Sequence, residues 1–216
     1  MKIEKKKLIK PAIIIGAVVA VLLVLYFSIF TKQEGDALEK YLEIMDGLQS
    51  GEVTFSADDY NNTAVAKFEE TENGCVILMT MSSGDSIYFD GTYLYSGTEE
   101  LVMNENGALD ATMAKRMLIA APDNAIDLDW YDKEKSGIYK ILTGYKIVVV
   151  TNESDDFYDT GDTTLTLYLD YNMVPTKAVI ADVFYDEEGN SHTYKTTLKY
   201  KNIGKDVDIT IPAVKR

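Results

Sequence analysis

The apolar and polar positions divide this chain into two unlike parts. Residues 11–30 read PAIIIGAVVAVLLVLYFSIF, a run without a single charge. At about 1.5 Å of rise per residue, a helix of that length spans the ~30 Å hydrocarbon core of a bilayer. The run therefore predicts a transmembrane helix over 11–30, with a short linker at 31–35 leading into a domain over 36–216. Past the linker the pattern turns periodic. Residues 36–49 set Leu38, Tyr41, Leu42, Met45 and Leu48 on one stripe, with Glu39, Lys40 and Glu43 opposite. That spacing predicts an amphipathic helix lying on an apolar surface, with Gly51 following as a stop signal. A second short helix is expected over 110–121, where Asp110 is placed to cap it and Pro122 to end it.

Elsewhere the pattern alternates. Expected strands run over 52–57, 64–69, 75–81, 86–90, 93–96, 137–142 and 145–151, followed by three longer ones over 163–170, 177–185 and 191–201. Turn pairs such as Asn73-Gly74, Ser83-Gly84 and Asp90-Gly91 separate several of them. In the first long strand Leu165, Leu167 and Leu169 share one face while Thr164, Thr166 and Tyr168 share the other, the period of a half-buried antiparallel strand. The order helix, meander, helix, meander predicts an α+β fold: one curved antiparallel sheet, an unclosed barrel, covered on its concave face by short helices.

The charges orient the chain. Residues 1–10 hold Lys2, Lys5, Lys6, Lys7 and Lys10 against Glu4 alone, and basic flanks stay on the cytoplasmic side of a spanning helix. The total is −14; with +5 on residues 1–32, a net of −19 falls on residues 33–216. A domain so acidic is poorly suited to nucleic acid or to anionic lipid headgroups. The expected topology is a single-pass protein of the cell membrane, N-terminus inside and domain outside. A cleaved signal peptide is the alternative, but the apolar run is long and ends in Phe27-Ser28-Ile29-Phe30-Thr31 without small residues at a cleavage site. Cys75 is the one cysteine, so no intramolecular disulfide forms, and its position in a strand suits a small buried apolar residue.

The C-terminal third carries a resemblance. Leu165-Thr-Leu-Tyr-Leu-Asp170 leads through a turn into Val174-Pro-Thr-Lys-Ala-Val-Ile180. Gly189-Asn190, the strand Tyr194–Tyr200 and Lys201-Asn-Ile-Gly204 follow, closing on Asp208-Ile-Thr-Ile-Pro212. Together with the earlier Ile87-Tyr-Phe-Asp-Gly-Thr-Tyr-Leu-Tyr95, this series resembles the lipoprotein-carrier fold of the LolA and LolB proteins. The related lipid-binding lipoproteins of Gram-positive and mycobacterial envelopes belong to the same group. The resemblance covers roughly 36–212 and rests on structural turns. It implies an unclosed barrel whose apolar concave face houses acyl chains. Candidate lining residues are Met79, Met81, Leu165, Leu167 and Leu169 on strands, with Met113 and Met117 on the covering helix; Met suits an adaptable apolar site. The same residues would equally serve as ordinary core. None of the family's polar ligand contacts finds a matching motif here, and a tethered domain does not shuttle between membranes.

Catalysis finds little footing. His192 stands alone, so no Cys-His or metal-ligand spacing exists, and neither a G-x-S-x-G elbow nor a Gly-rich phosphate loop is present. The acidic run Asp155, Asp156, Asp159 and Asp162 lacks the alternation and distal Glu of an EF-hand, and reads as a solvated loop. No catalytic residue, metal site or cofactor is predicted. Fifteen tyrosines suit strands with one wet face. Two functions stay open: binding of lipid or another apolar molecule, and a scaffold role in which a filled domain meets another envelope protein through a sheet edge or its tyrosine-rich face.

Overall fold

The computed structural model describes residues 31–58, 60–72, 74–96, 99–101, 110–120, 131–152, 160–186 and 188–210. The apolar run 11–30 lies outside them, as do Asp155, Asp156 and Asp159. Among the described residues no helix is long and apolar enough to cross a membrane.

In chain order the elements are β1 (Lys32–Gln33), α1 (Ala37–Asp46), β2 (Ser50–Ala57), β3 (Tyr60–Thr71), β4 (Gly74–Met81), β5 (Ser86–Phe89), β6 (Leu94–Ser96) and β7 (Glu99–Leu101). Then come α2 (Ala111–Lys115), which runs on as a π-helical turn (Arg116–Ala120), β8 (Gly137–Ile141), β9 (Gly144–Asn152), β10 (Thr160–Leu169), β11 (Pro175–Tyr185) and β12 (Ser191–Lys201). All twelve strands form one antiparallel sheet in the order β1-β8-β9-β10-β11-β12-β2-β3-β4-β5-β6-β7. Its two ends do not pair, so the sheet is unclosed, with two short helices laid on one face.

Local chemistry makes the hairpins. At three turns an aspartate carboxylate accepts backbone N–H groups ahead of it: Asp90 from Thr92 and Tyr93, Asp170 from Asn172 and Val174, Asp186 from Glu188 and Asn190. This Asx chemistry lets a short loop close without leaving its donors unpaired. The turn before β9 depends on Gly144, at φ +139°. A side chain there would be driven into the Leu169 carbonyl.

The second helix is capped by Asp110 as the sequence predicts, and α1 carries a cap of its own at Asp36. The Asp36 carboxylate accepts from the amides of Leu38 and Glu39, and Asp110 from that of Met113. Several features differ from the sequence expectation. The helix α1 stops at Asp46, Gly51 lies within β2 and not at the helix end, and β7 is a strand the pattern does not mark. Lys32 and Gln33, in the segment read as linker, pair with Ile138 and Tyr139 as a marginal strand. And β10 begins at Thr160, so Asp162 sits in a strand, held by Lys135 at 2.6 Å, because cross-strand pairing to Asn152 extends the ladder past its apolar part.

Register assigns the inner face. On β9–β12 the buried residues Ile147, Val149, Leu165, Leu167, Leu169, Ala178, Ile180 and Leu198 lie opposite one another, and Val53, Ala66, Phe68, Ile77 and Phe89 continue that face across β2–β5. Onto it α1 presses Ala37, Leu38, Tyr41 and Met45, and the second helix adds Ala114, Leu118 and Ile119.

Candidate apolar binding face

The helices do not cover the inner face evenly. They seal its lower half, the end bearing the β2 N-terminus, where Phe68, Ile77 and Phe89 have no exposure. The sealing contacts are polar at their margin. Arg116 forks onto Asp46, Nε to Oδ1 at 3.0 Å and Nη2 to Oδ2 at 2.6 Å. Lys115, itself buried, donates to the Asp46 carbonyl at 2.8 Å and to Glu70 Oε1 at 2.6 Å. The Tyr200 hydroxyl donates to the Ile119 carbonyl at 3.3 Å, and burial pushes this phenol well above its ordinary pKa. Desolvation likewise pushes the Cys75 thiol, in this half, up to about 12, so it is inert core.

Upward along β2–β5 the same face is only partly covered. One cross-strand row runs Leu198, Phe55, Ala64, Met81; the row below it runs Tyr200, Val53, Ala66, Met79, Ile87. Phe55, Ala64, Met79 and Ile87 are half-buried and Met81 is 36% exposed. In the same two rows Leu198, Val53, Ala66 and Tyr200 are buried, Tyr200 beneath the second helix, and Phe55, Met79 and Ile87 pack with one side against the core.

The seven lining candidates therefore separate. Met79 and Met81 lie on the open strip. Leu165, Leu167 and Leu169 are at most 2% exposed and pack in the sealed core. Met117 is half-buried against that core, and Met113 is 44% exposed on α2. Phe55, Ala64 and Ile87 were not among the expected lining. Their signal is register: once β2–β5 are paired, Ala64 lies beside Met81, Ile87 beside Met79, and Phe55 beside Ala64 in the same row.

Above the strip, at the β11–β12 hairpin, the inner face turns aromatic and polar. Phe184 stacks on Tyr194 with centroids 4.5 Å apart, and on His192 at 5.9 Å. Opposite Tyr194 lies Asp182, whose Oδ1 accepts the Thr163 hydroxyl at 2.8 Å. His192 is not merely solvated: its Nε2 lies 2.9 Å from Asp186 Oδ2. That contact, with the Asn190 amide, holds the Asp186 carboxyl well below the usual carboxylate range.

A different concavity, an open groove of about 390 Å³, lies between α1 and β8–β9, with Glu34, Asp36, Glu39 and Glu43 in its wall. Two of those carboxylates are turned to structure, Asp36 capping α1 and Glu43 pairing with Lys40. Its charged wall is unsuited to hydrocarbon. Among the described residues no cluster of His, Cys, Asp and Glu has the makings of a metal site.

No family model matches the chain, and no curated protein matches it. Among solved structures it is similar to the crystal structure of MucB, with a TM-score of 0.41 and 12% identity over 83% of this chain and 61% of that one. It is also similar to the complex of Pseudomonas aeruginosa MucA and MucB, with a TM-score of 0.37 and 13% identity over 80% of this chain and 57% of that one. The chain thus spans less than two thirds of the structures it matches, and a likeness this distant carries no argument about function.

Proposed function

We propose that this chain is a non-catalytic, membrane-anchored domain of the cell envelope that binds lipid or another apolar molecule on the open strip of its sheet. The observation that carries the reading is the apolar row Phe55, Ala64, Met81 with Met79 and Ile87 beneath it, each left partly exposed among the described residues. Natural sheets cover such a face, because each Å² of apolar surface left in water costs roughly 25 cal/mol. An acyl chain laid across β2–β5 would supply that cover. The resemblance to the lipoprotein-carrier fold points the same way, and the apolar run at 11–30 supplies the anchor that would hold the strip at the membrane. Carbonate extraction and intact-mass measurement of the N-terminus test the anchor: release from the membrane, or loss of residues 1–30, would remove it.

Binding itself is tested by purifying the full-length chain and extracting it for lipid mass spectrometry. Bound lipid is expected in the wild type and is expected to disappear in Ala64→Trp, whose indole fills the strip. A lipid-free wild type, or an Ala64→Trp protein that still carries lipid, overturns the reading. A competing scaffold function has one observation in its favour, the two sheet edges at β1 and β7, unpaired among the described residues, which offer strand addition to a partner. A lipid-free protein that captures an envelope partner through those edges would favour it.

A further inference from the structure

The upper end of the strip has the chemistry of a headgroup site, and its charge has a sign. On the inner face Asp182 is half-buried, and its one hydrogen bond among the described residues comes from the neutral Thr163 hydroxyl at 2.8 Å. No Lys, Arg or His lies within ion-pair distance of it among the described residues. Buried or half-buried carboxylates ordinarily find a cation, since taking the charge out of water is costly without one. Directly across the ladder from Asp182 stands Tyr194, 43% exposed and stacked on Phe184. An aromatic face beside a carboxylate attracts cations twice over, through the ring quadrupole and through the charge. This chain already uses that attraction on its outer face, where Lys146 and Lys177 sit 5.3 Å and 5.8 Å from the Tyr139 and Tyr168 ring centres. Over the inner-face stack no lysine or arginine is placed among the described residues.

The rows below are apolar. Next to Tyr194 on the same face of β12 come Thr196, beside Ala57, and then Leu198, beside Phe55. A ligand whose chain runs from Met81 across Ala64 to Phe55 and on past Ala57 and Thr196 brings its head to Tyr194 and Asp182. The −19 carried by residues 33–216 repels an anionic head at that place. Resting on the apolar-ligand reading above, we propose that the Asp182–Tyr194–Phe184 end of the strip takes an ammonium group, so that the ligand is an amphiphile with a cationic amine head.

The test uses the full-length chain in neutral maltoside micelles. Three photoreactive dodecyl probes are compared that differ only in the head: trimethylammonium, hydroxyl and carboxylate. Adducts are read by peptide mass spectrometry on β2–β4, and apparent affinities by competition. The ammonium probe is expected to label about tenfold more tightly than the hydroxyl probe, a ratio within reach of one cation–π contact reinforced by a carboxylate, with the carboxylate probe weakest. Asp182→Asn and Tyr194→Leu should each remove most of that preference while leaving the hydroxyl probe unchanged. Glu52→Gln removes an equal charge from the outer face of β2 and should leave the preference intact. Equal labelling by ammonium and hydroxyl probes in the wild type overturns the inference, whether or not the variants fold. A preference that survives both Asp182→Asn and Tyr194→Leu overturns it too, since bulk surface charge would then be its source. Labelling of the strip by no probe brings down the apolar-ligand reading itself, a result distinct from equal labelling by all.

Discussion

The lower and upper halves of the inner face are made by the same strands, with the same alternation and much the same residue types, yet only one is a core. Phe68, Ile77 and Phe89 have no exposure, whereas Phe55, Met79 and Ile87, a few positions along the same strands or on their neighbours, remain half in water. The difference is not local. It comes from where α1 and the π-helical turn land, and from the polar contacts that pin them there. An apolar strand face is therefore a necessary condition for a core and not a sufficient one. The part that is left over is where a binding function can reside.

The largest effect that would break this comparison is a truncation in each half. Ile77→Ala opens a cavity between Phe68 and Phe89, and should cost about 2–5 kcal/mol by denaturant unfolding. Met81→Ala removes a side chain already 36% exposed and should stay within about 0.5 kcal/mol. Similar losses at both positions would mean that the two halves are one continuous core.

The next effect concerns what pins the lid. Lys115 is buried with its ammonium held by Glu70 and by the Asp46 carbonyl. Glu70→Gln leaves that charge buried with one neutral acceptor and one carbonyl, which should cost about 2–3 kcal/mol; Glu70 is itself partly exposed, which keeps the loss below that of a fully buried pair. Lys115→Met removes the charge along with its partner's role and should cost clearly less. If Lys115→Met proves the more damaging change, the pair is a stabilising contact in its own right and not a device that fixes where α2 sits.

Much of the sheet was legible in the chain because its signals are local. The alternation Leu165, Leu167, Leu169 marks a strand, and Asp110 marks a cap. Asp90-Gly91 and the Asp170 and Asp186 turns mark hairpins. All of these depend on residues within a few positions of each other. The site was only half legible for the opposite reason. Leu165 and Met81 look alike as inward strand residues; one is sealed and the other open because of helices contributed from distant parts of the chain. The row that joins Phe55 to Leu198 requires β2 to pair with β12, elements at opposite ends of the domain that no local pattern brings together. Asp182 did leave a local trace, a carboxylate at an inward position between Ile180 and Phe184. The π-helical end of α2 left none that a helical period would reveal.

Smaller again is the contribution of the α1 cap. Asp36 accepts from the amides of Leu38 and Glu39, from the Tyr131 hydroxyl at 3.1 Å, and pairs with Lys133 at 3.0 Å. Desolvation alone would raise its pKa, but the Glu39 amide and Lys133 outweigh it and hold the carboxyl below its ordinary value. Asp36→Ala should cost about 1–2 kcal/mol, with faster amide exchange concentrated in the first turn of α1. A loss spread evenly over the sheet would show that the cap is not what seats the helix on the lower half.

The smallest expected effect lies at the far end of the upper half, and it depends on pH. The folded-state pKa of Asp186 is depressed, through His192 first and then the Asn190 amide. A depressed carboxylate contributes order that is fully present above its unfolded value of about 3.9 and is lost as pH falls toward the lower folded value. The β11–β12 turn should therefore stay formed from neutral pH down to about pH 4, then loosen as acid protonates Asp186 and releases the amides of Glu188 and Asn190. Because the carboxylate is at the surface, global stability should barely register the change; the amide resonances of Glu188 and Asn190 are the readout. The same titration separates the halves once more. Loosening that begins at Phe184 and Tyr194 while the β3 and β4 amides around Phe68 and Ile77 keep their protection would show an upper half that opens by itself. Simultaneous loss in both would mean that the strip and the core unfold as one unit, and that the strip has no independent freedom with which to admit a ligand.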